Sequence, residues 1–531
     1  MELVLDYVLR GIHAALFTPD GAVAWMTLVM VVSGLIGGIV VGAVPGLNGP
    51  FAMAIALPVL ISSFGTGNEA LLPVLAFLIG VMKGSTLGGA VPAVLFNTPG
   101  TPDALMTTRD GYPMAQQGRA GEALQTAHYA SVRGDTFSDM VLFVAAPTLA
   151  VLVERVLDLP EKAAIIILSL SFMAAVSGSA VLKGLMAGVL GMLLALIGSS
   201  VSGYGPRMTL GLAELKPGIP ATAAIMGMLI LSEAFAQLES LWRRRAEGPA
   251  GERTVTGEHT RMTRSGKRLL RWVILRSAAI GTAIGSLPGI GTTLAATLAY
   301  EASRARAENK ENFGKGDPRG LASCEAANSA VSGANLIPVM SLGIPGNLAA
   351  VFIILAVDSV GDFTFGPQVF RFTEIKEVAG YGTILNASLV IAFSIFTLMS
   401  IANLVNWVVG GRIMVFLGVL SRIPAAMVAP AVVLLTLTAA YVQDGGVIAI
   451  ATAFVFGVIG YVMMRLHVPL LPFIIGFILS PNLEQLLRGG FSASGADPLF
   501  LFKSPLSCAF LLIAVAIVVT SFLKSSGART E

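Results

Sequence analysis

Long apolar runs separated by short polar stretches rich in glycine and proline dominate the chain. The runs cover Ala22 to Val44, Leu71 to Leu95, Ala163 to Val181, Gly184 to Val201, Ile219 to Leu238, Val331 to Val357, Ile384 to Val409, Ala425 to Tyr441, Val447 to Met464 and Cys508 to Phe522. A bilayer core about 30 Å thick takes roughly 20 apolar residues to cross as helix, so this pattern predicts roughly ten to twelve membrane segments. Hydrocarbon cannot satisfy open backbone groups, and no ten-residue alternating pattern suggests a barrel, so the segments are expected to be helices. The predicted fold class is an all-α polytopic membrane protein with broken or re-entrant helices among its spans. The first residues are expected to form a short interfacial helix. Glu2 and Asp6 stand where a cleavable leader would carry basic residues.

Composition agrees with the pattern. Of 531 residues 55% are hydrophobic and 12% charged, where a soluble chain carries roughly a quarter charged residues. The formal net charge of +3 gives no reason to expect nucleic-acid binding. Cys324 and Cys508 are too few for a disulfide framework or a thiolate metal site. His13, His128, His259 and His467 are scattered, with no His-Glu-x-x-His pair and no phosphate-binding Gly-x-x-x-x-Gly-Lys-Ser/Thr loop. The chain therefore reads as neither an enzyme nor an ATP-driven pump, with no metal and no cofactor. A driving force would come from an ion gradient or a partner.

Landmarks of the N-terminal part recur in order after residue 270. Val-Gly-Ala-Val-Pro-Gly-Leu at 41–47 is answered by Ile-Gly-Ser-Leu-Pro-Gly-Ile at 284–290, and Pro92 with Pro99-Gly100 by Pro338 with Pro345-Gly346, six residues separating the prolines each time. Pro160, Ala174-Ala175 and Gly191 find a looser match in Pro424, Ala439-Ala440 and Gly457. The expected organisation is an N-terminal repeat over 1–241, a basic linker over 242–276 and a C-terminal repeat over 277–531. The linker holds ten Lys or Arg against three Glu, which places it on the cytoplasmic side by the positive-inside bias. That bias also reverses between corresponding loops. Ser62 to Ala70 has no basic residue, whereas its counterpart has Arg304, Arg306, Lys310, Lys315 and Arg319. Arg109, Arg119 and Arg133, read as a polar loop, correspond to a stretch with Asp358, Asp362, Glu374 and Glu377 against Arg371 and Lys376. Inverted-topology repeats are expected, and in secondary transporters they place the substrate near the midplane.

Candidate chemistry gathers at the four Pro-Gly steps. Proline removes a donor and glycine permits strained dihedrals, so helices should break there. Half-helix N-termini suit an anion and carbonyl ends a cation. The candidate substrate-binding residues are Pro45, Gly46 and Asn48; Asn97, Thr98, Pro99, Gly100 and Thr101; Pro288, Gly289 and Thr292; and Pro345, Gly346 and Asn347. The competing structural reading makes the prolines packing kinks. Lys83, Glu325 and Asn328 are candidates for ion coupling, because ionisable groups at membrane depth are costly. Lys83 could pair with a substrate carboxylate or snorkel to the interface; Glu325 could carry a proton, help bind Na⁺ or cap a helix. Asp103 follows the second Pro-Gly step.

The residues resemble the large membrane subunit of tripartite tricarboxylate transporters, the TctA family. The likeness rests on Gly42-Ala-Val-Pro-Gly-Leu47, Lys83-Gly-Ser, Phe96-Asn-Thr-Pro-Gly-Thr-Pro102, Asp110-Gly-Tyr-Pro113, Gln117-Gly-Arg-Ala120, Arg207-Met-Thr-Leu-Gly211, Glu325-Ala-Ala-Asn328, Leu336-Ile-Pro338, Leu342-Gly-Ile-Pro-Gly346, and Ile475-Gly-Phe-Ile-Leu-Ser480 with Glu484. It implies a bacterial cytoplasmic (inner) membrane subunit acting with a small four-helix membrane protein and a periplasmic solute-binding protein. It also implies transport of di-, tri- or aromatic carboxylates driven by H⁺ or Na⁺, by a carrier related to elevator types. Two departures bear on which carboxylate is carried: Cys324-Glu-Ala-Ala-Asn-Ser329 stands where the family commonly has Pro-Glu-Ala-Ala-Asn-Asn, and Ser199-Ser-Val-Ser-Gly203 where an Asp is frequent. A secondary carboxylate importer is therefore the leading reading. The alternative is a passive anion channel or a non-transporting membrane scaffold; self-association stays open.

Overall fold

The computed structural model describes residues 2–44, 47–99, 101–176, 181–198, 205–247, 262–289, 291–361, 363–372, 376–378, 382–384, 386–417 and 425–527. Pro45, Gly46, Gly100, the Ser199–Gly203 stretch and positions 248–261 of the linker lie outside them. In chain order the helices are α1 (Glu2–Leu16), α2 (Trp25–Ala43), α3 (Gly49–Phe64), α4 (Asn68–Phe96), α5 (Thr108–Met114), α6 (Ala120–Val156), α7 (Leu159–Val176), α8 (Val181–Ala195), α9 (Ala221–Met226), α10 (Ser232–Glu247), α11 (Arg264–Gly285), α12 (Thr292–Ala305), α13 (Pro318–Ala334), α14 (Leu336–Leu342), α15 (Leu348–Val360), α16 (Ala387–Val405), α17 (Gly411–Leu417), α18 (Ala425–Asp444), α19 (Val447–Arg465), α20 (Leu470–Ala493) and α21 (Pro505–Gly527). Two three-residue strands, Lys376–Val378 and Gly382–Ile384, pair antiparallel.

The fold class is all-α, as expected. Among the described residues eight helical stretches are long and apolar enough to cross a membrane: Trp25–Ala43, Glu69–Phe96, Thr108–Val156, Ala221–Glu239, Ala387–Met414, Val447–Arg465, Leu470–Ala493 and Pro505–Leu523. Shorter apolar helices cover Gly49–Phe64, Val181–Ala195, Leu348–Val360 and Val432–Asp444.

One expectation changes. Arg109, Arg119 and Arg133 do not lie in a polar loop: α5 and α6 join through a π-turn at Ala115–Arg119, where Gly118 takes φ 78°. Similar π-turns link α9 to α10 and α16 to α17 and let one helical rod bend without losing its backbone bonds. The C-terminal part of the basic linker is helical too, since α11 begins at Arg264 behind its N-cap, Thr263. The apolar run Val331 to Val357 is not one span. It breaks at Asn335 and again at Gly343, where φ is 70°.

The chain divides into two compact units. Unit 1 comprises Met1–Val151, Arg244–Leu287 and Gly291–Val428. Within it α2 and α4 interlock through Gly34, Gly38 and Gly42 on one side and Gly80, Gly84 and Gly88 on the other. A Cβ at any of these would overlap a backbone carbonyl oxygen across the interface, those of Phe77, Val81, Ser85, Val31, Leu35 and Ile39. In lipid there is no hydrophobic gain from pairing two apolar helices, so such close backbone packing has to supply the attraction. Gly281 of α11 likewise meets the Ala327 carbonyl of α13, and Gly134 of α6 the Ala326 carbonyl. Every residue of α13 from Gly320 to Ala334 is buried, so this helix is the axis of the unit. The expected N-terminal helix is present as α1; its Gly11 carbonyl accepts from Ser394 of α16 at 3.1 Å and its Tyr7 hydroxyl from the Asn386 N–H at 3.0 Å.

Unit 2 comprises Leu152–Arg243, Pro288–Ile290 and Ala429–Glu531. Its helices use the same device. Gly191 of α8 abuts the Phe473 carbonyl of α20, Gly476 of α20 the Gly188 carbonyl of α8, and Gly227 the Ala453 carbonyl of α19. Arg207 forms a two-pronged ion pair with Glu484, at 2.7 and 2.5 Å, and Arg488 adds a third contact at 2.6 Å. This ties the irregular backbone around Met208 (φ 55°) and Leu210 (φ 51°) to α20.

Candidate functional site

Two helices of unit 1 end in the same way, as their sequence spacing suggested. At the end of α4, Asn97 is left-handed (φ 53°, ψ 28°), and both its N–H and that of Thr98 donate to the Pro92 carbonyl. At the end of α14, Gly343 (φ 70°) and Ile344 donate to the Pro338 carbonyl. These are six-to-one terminations, in which a left-handed residue turns the chain and satisfies the last carbonyls. Pro99 and Pro345 then prevent the helix from resuming.

Two short helices also begin in the same way. Asn48 and Asn347 are N-caps with extended backbones, and each Oδ1 accepts from the N–H of the third residue of its helix at 2.9 Å, Phe51 in α3 and Ala350 in α15. The two helices pack on each other and on α4. Gly67, just past α3, donates to the Val360 carbonyl at the end of α15 at 2.6 Å, so their C-termini lie together and the helices run in the same sense. Both are too short to cross a bilayer: 16 and 13 residues give about 24 and 20 Å at 1.5 Å per residue.

The remaining candidates separate into groups. Gly49 lies directly on Ser85 of α4 and Gly346 beside the Asn335 amide. Thr101 is buried, with no partner for its hydroxyl among the described residues. Thr292 donates to Asp103, which joins the segment after the second Pro-Gly step to the start of α12. Asn97 and Thr98 are exposed. Pro288 and Gly289 belong to unit 2, where Gly289 (φ 80°) fits against Met173 with no room for a Cβ.

The candidates for ion coupling lie in a polar seam inside unit 1. Glu325 accepts hydrogen bonds from Thr107 and, at 2.9 Å, from Ser131. Among the described residues Asn328, one helical turn on and 1% exposed, has no partner for either amide atom, and neither Ser332 Oγ nor Asn335 Nδ2 has one. Lys83 is engaged inside the protein: its ammonium donates to Asp135 and to Asp139, each at 2.8 Å, and Asn403 donates to Asp139 at 2.7 Å. The two aspartates were missed in the sequence because Arg119 and Arg133 made their surroundings read as a loop. Their four-residue spacing, one helical turn, was the available signal.

Several motif residues hold backbone instead of facing a cavity. Asp110 Oδ1 accepts from the N–H groups of Gly314, Gly316 and Asp317, all at 2.9 Å, and Oδ2 from Tyr300 at 2.9 Å. Gln117 donates to the Lys315 carbonyl at 2.8 Å. Together they clamp the loop between α12 and α13. Among the described residues no three His, Cys, Asp or Glu side chains could hold a metal ion.

A family model described as the tripartite tricarboxylate transporter TctA family matches residues 28–475. The chain belongs to this family. It is thus a multi-pass membrane component of a transporter and not an enzyme, and members of the TctA family function with TctB and TctC partners. Across 498 residues it is 28% identical to an uncharacterized 52.8 kDa protein in the TAR-I ttuC' 3' region of Agrobacterium vitis, covering 94% of this chain and 93% of that protein. An uncharacterized protein in the TAR-II ttuC' 3' region of the same organism is 27% identical over 251 residues, 47% of this chain and 97% of that protein. No solved structure matches.

Proposed function

We propose that this TctA-family chain is the large subunit of a secondary transporter that imports small carboxylates across the bacterial cytoplasmic membrane, driven by an ion gradient. A periplasmic binding protein delivers the substrate and a small four-helix membrane subunit completes the complex. The substrate-binding residues are those of the four Pro-Gly steps, on two inverted repeats that work by elevator-type alternating access. Glu325 and Asn328 take part in ion coupling. The observation that carries this reading is the pair of short helices α3 and α15, each opening just after a Pro-Gly step behind an Asn cap and running in the same sense. Two helix N-termini that point in the same sense offer N–H groups and the positive ends of their dipoles to an anion. The matched endings of α4 and α14 support the repeat.

The test is uptake of labelled citrate, succinate and benzoate by proteoliposomes that hold the large and small subunits with the binding protein outside. Uptake should saturate, require the binding protein and collapse with an ionophore. Uptake that persists without any ion gradient overturns the proposal and favours a passive channel.

A further inference from the structure

We propose that Lys83, Asp135, Asp139 and Asn403 form a proton-binding site in unit 1, in which the two aspartates hold one exchangeable proton. One ammonium faces two carboxylates, and the side chains of Lys83, Asp135 and Asp139 are 0%, 4% and 6% exposed. A buried ion pair can be compensated, but a surplus negative charge in the same place costs several kcal/mol. A proton on either carboxyl removes that surplus, and the two aspartates then titrate as a pair.

The open valences fall at the same place. Asp139 Oδ2 is occupied by Lys83 and Asn403, whereas Asp139 Oδ1 and Asn403 Oδ1 have no partner among the described residues. Gly333 of α13 lies against Asp139 Oδ1, where any larger residue would press on it. A buried carboxylate oxygen with no donor is where a proton can reside without displacing an existing bond.

Asp139 and Asn403 lie in the wall of an open, largely apolar groove of about 980 Å³ between α6, α11 and α16, whose rim residues Met140, Val144 and Leu404 are exposed. Thr136 and Ser400 add hydroxyls to its wall, and Arg133 and Arg271 are the charged groups on it besides Asp139. The Arg133 guanidinium lies over the Tyr129 and Trp407 rings. Facing the aspartate pair are therefore Lys83 from α4, Asn403 from α16 and Gly333 from α13, while Arg133 of the same helix α6 and Arg271 of α11 lie in the wall of the groove. Glu325 has separate partners in Thr107 and Ser131. Gain and loss of this proton in step with transport would couple it to the carrier. That coupling role rests on the transport reading above; the protonation itself does not.

Infrared spectroscopy of the reconstituted full chain tests it, using carbon-13-labelled aspartate to separate Asp from Glu bands, in Na⁺-free buffer at neutral pH. The Glu325→Gln parent should show a protonated aspartate band. That band should lose one carboxyl's intensity when either Asp135→Asn or Asp139→Asn is added, since Lys83 then faces a single carboxylate. It should gain one carboxyl's intensity with Lys83→Met, which leaves both aspartates uncompensated. No protonated aspartate band in the parent overturns the proposal without recourse to any variant. So does a band whose intensity neither Asp substitution lowers, or one that Na⁺ but not choline diminishes by one carboxyl, which would make the site a sodium site. If proteoliposomes show no transport while the band behaves as stated, the transport reading fails and the proton site stands.

Discussion

Asn347 is where a structural and a ligand-binding role can be separated. It caps α15 by accepting from Ala350 at 2.9 Å, and Asp caps a helix about as well as Asn. A negative charge at a helix N-terminus adds about 0.3–1 kcal/mol of stability. Asn347→Asp should therefore leave folding unchanged or slightly improved. The same change puts a fixed anion where the substrate carboxylate is proposed to sit. Two unit charges ~5 Å apart in an effective dielectric of ~20 repel by about 3 kcal/mol, which corresponds to roughly a 100- to 300-fold loss of affinity. Asn347→Ser keeps the cap without the charge and should transport within a few-fold of wild type. Asn347→Leu loses the cap, at a cost of about 1 kcal/mol, and should abolish uptake. The assay is initial-rate citrate uptake in proteoliposomes, paired with thermal melting of the purified protein. A normal KM for Asn347→Asp, with the melting point retained, would refute the placement of the anion at this helix end.

Other outcomes follow from the packing. Gly84→Val should prevent folding or insertion, because its Cβ would overlap the Leu35 carbonyl and the α2–α4 contact has no apolar driving force to restore it; size-exclusion profiles of the fluorescently tagged protein would show it. Asp110→Ala should orphan three backbone N–H groups at about 1–3 kcal/mol each if they stay dry, and hydrogen exchange should rise over 306–317 before any global unfolding. Arg207→Ala and Glu484→Ala should destabilise similarly and non-additively, since each leaves the other's charge without its two-pronged partner; a double-mutant cycle on melting temperature reads the coupling. Asn97→Leu should lose uptake while remaining inserted, and normal uptake would remove that side chain from the site.

Much of the membrane architecture was legible from the chain because its determinants are local. Apolar length sets a span, a Pro-Gly step sets a break, and an Asn before an apolar run sets a cap, so α3, α4, α14 and α15 begin or end close to the landmarks. The span count was less legible. Hydropathy treats Val331 to Val357 as continuous, whereas Asn335 and the left-handed Gly343 interrupt it, and it discounts the helix through Arg119 and Arg133 because it weighs charge without knowing what the charge will face.

The polar core depended on tertiary structure. Lys83 is separated from Asp135 and Asp139 by more than fifty positions, and only the meeting of α4 with α6 turns three costly charges into one compensated cluster with a surplus carboxylate. Asp110 presents the same contrast: as part of an Asp-Gly-Tyr-Pro motif it carries no visible role, and in the fold it gathers three N–H groups from a loop about two hundred residues away. Sequence alone determined what each segment can tolerate, because hydrophobicity and backbone freedom belong to the residue. Which buried groups neutralise one another was decided only by packing, because electrostatic energy in a low dielectric depends on distances that only the tertiary fold sets.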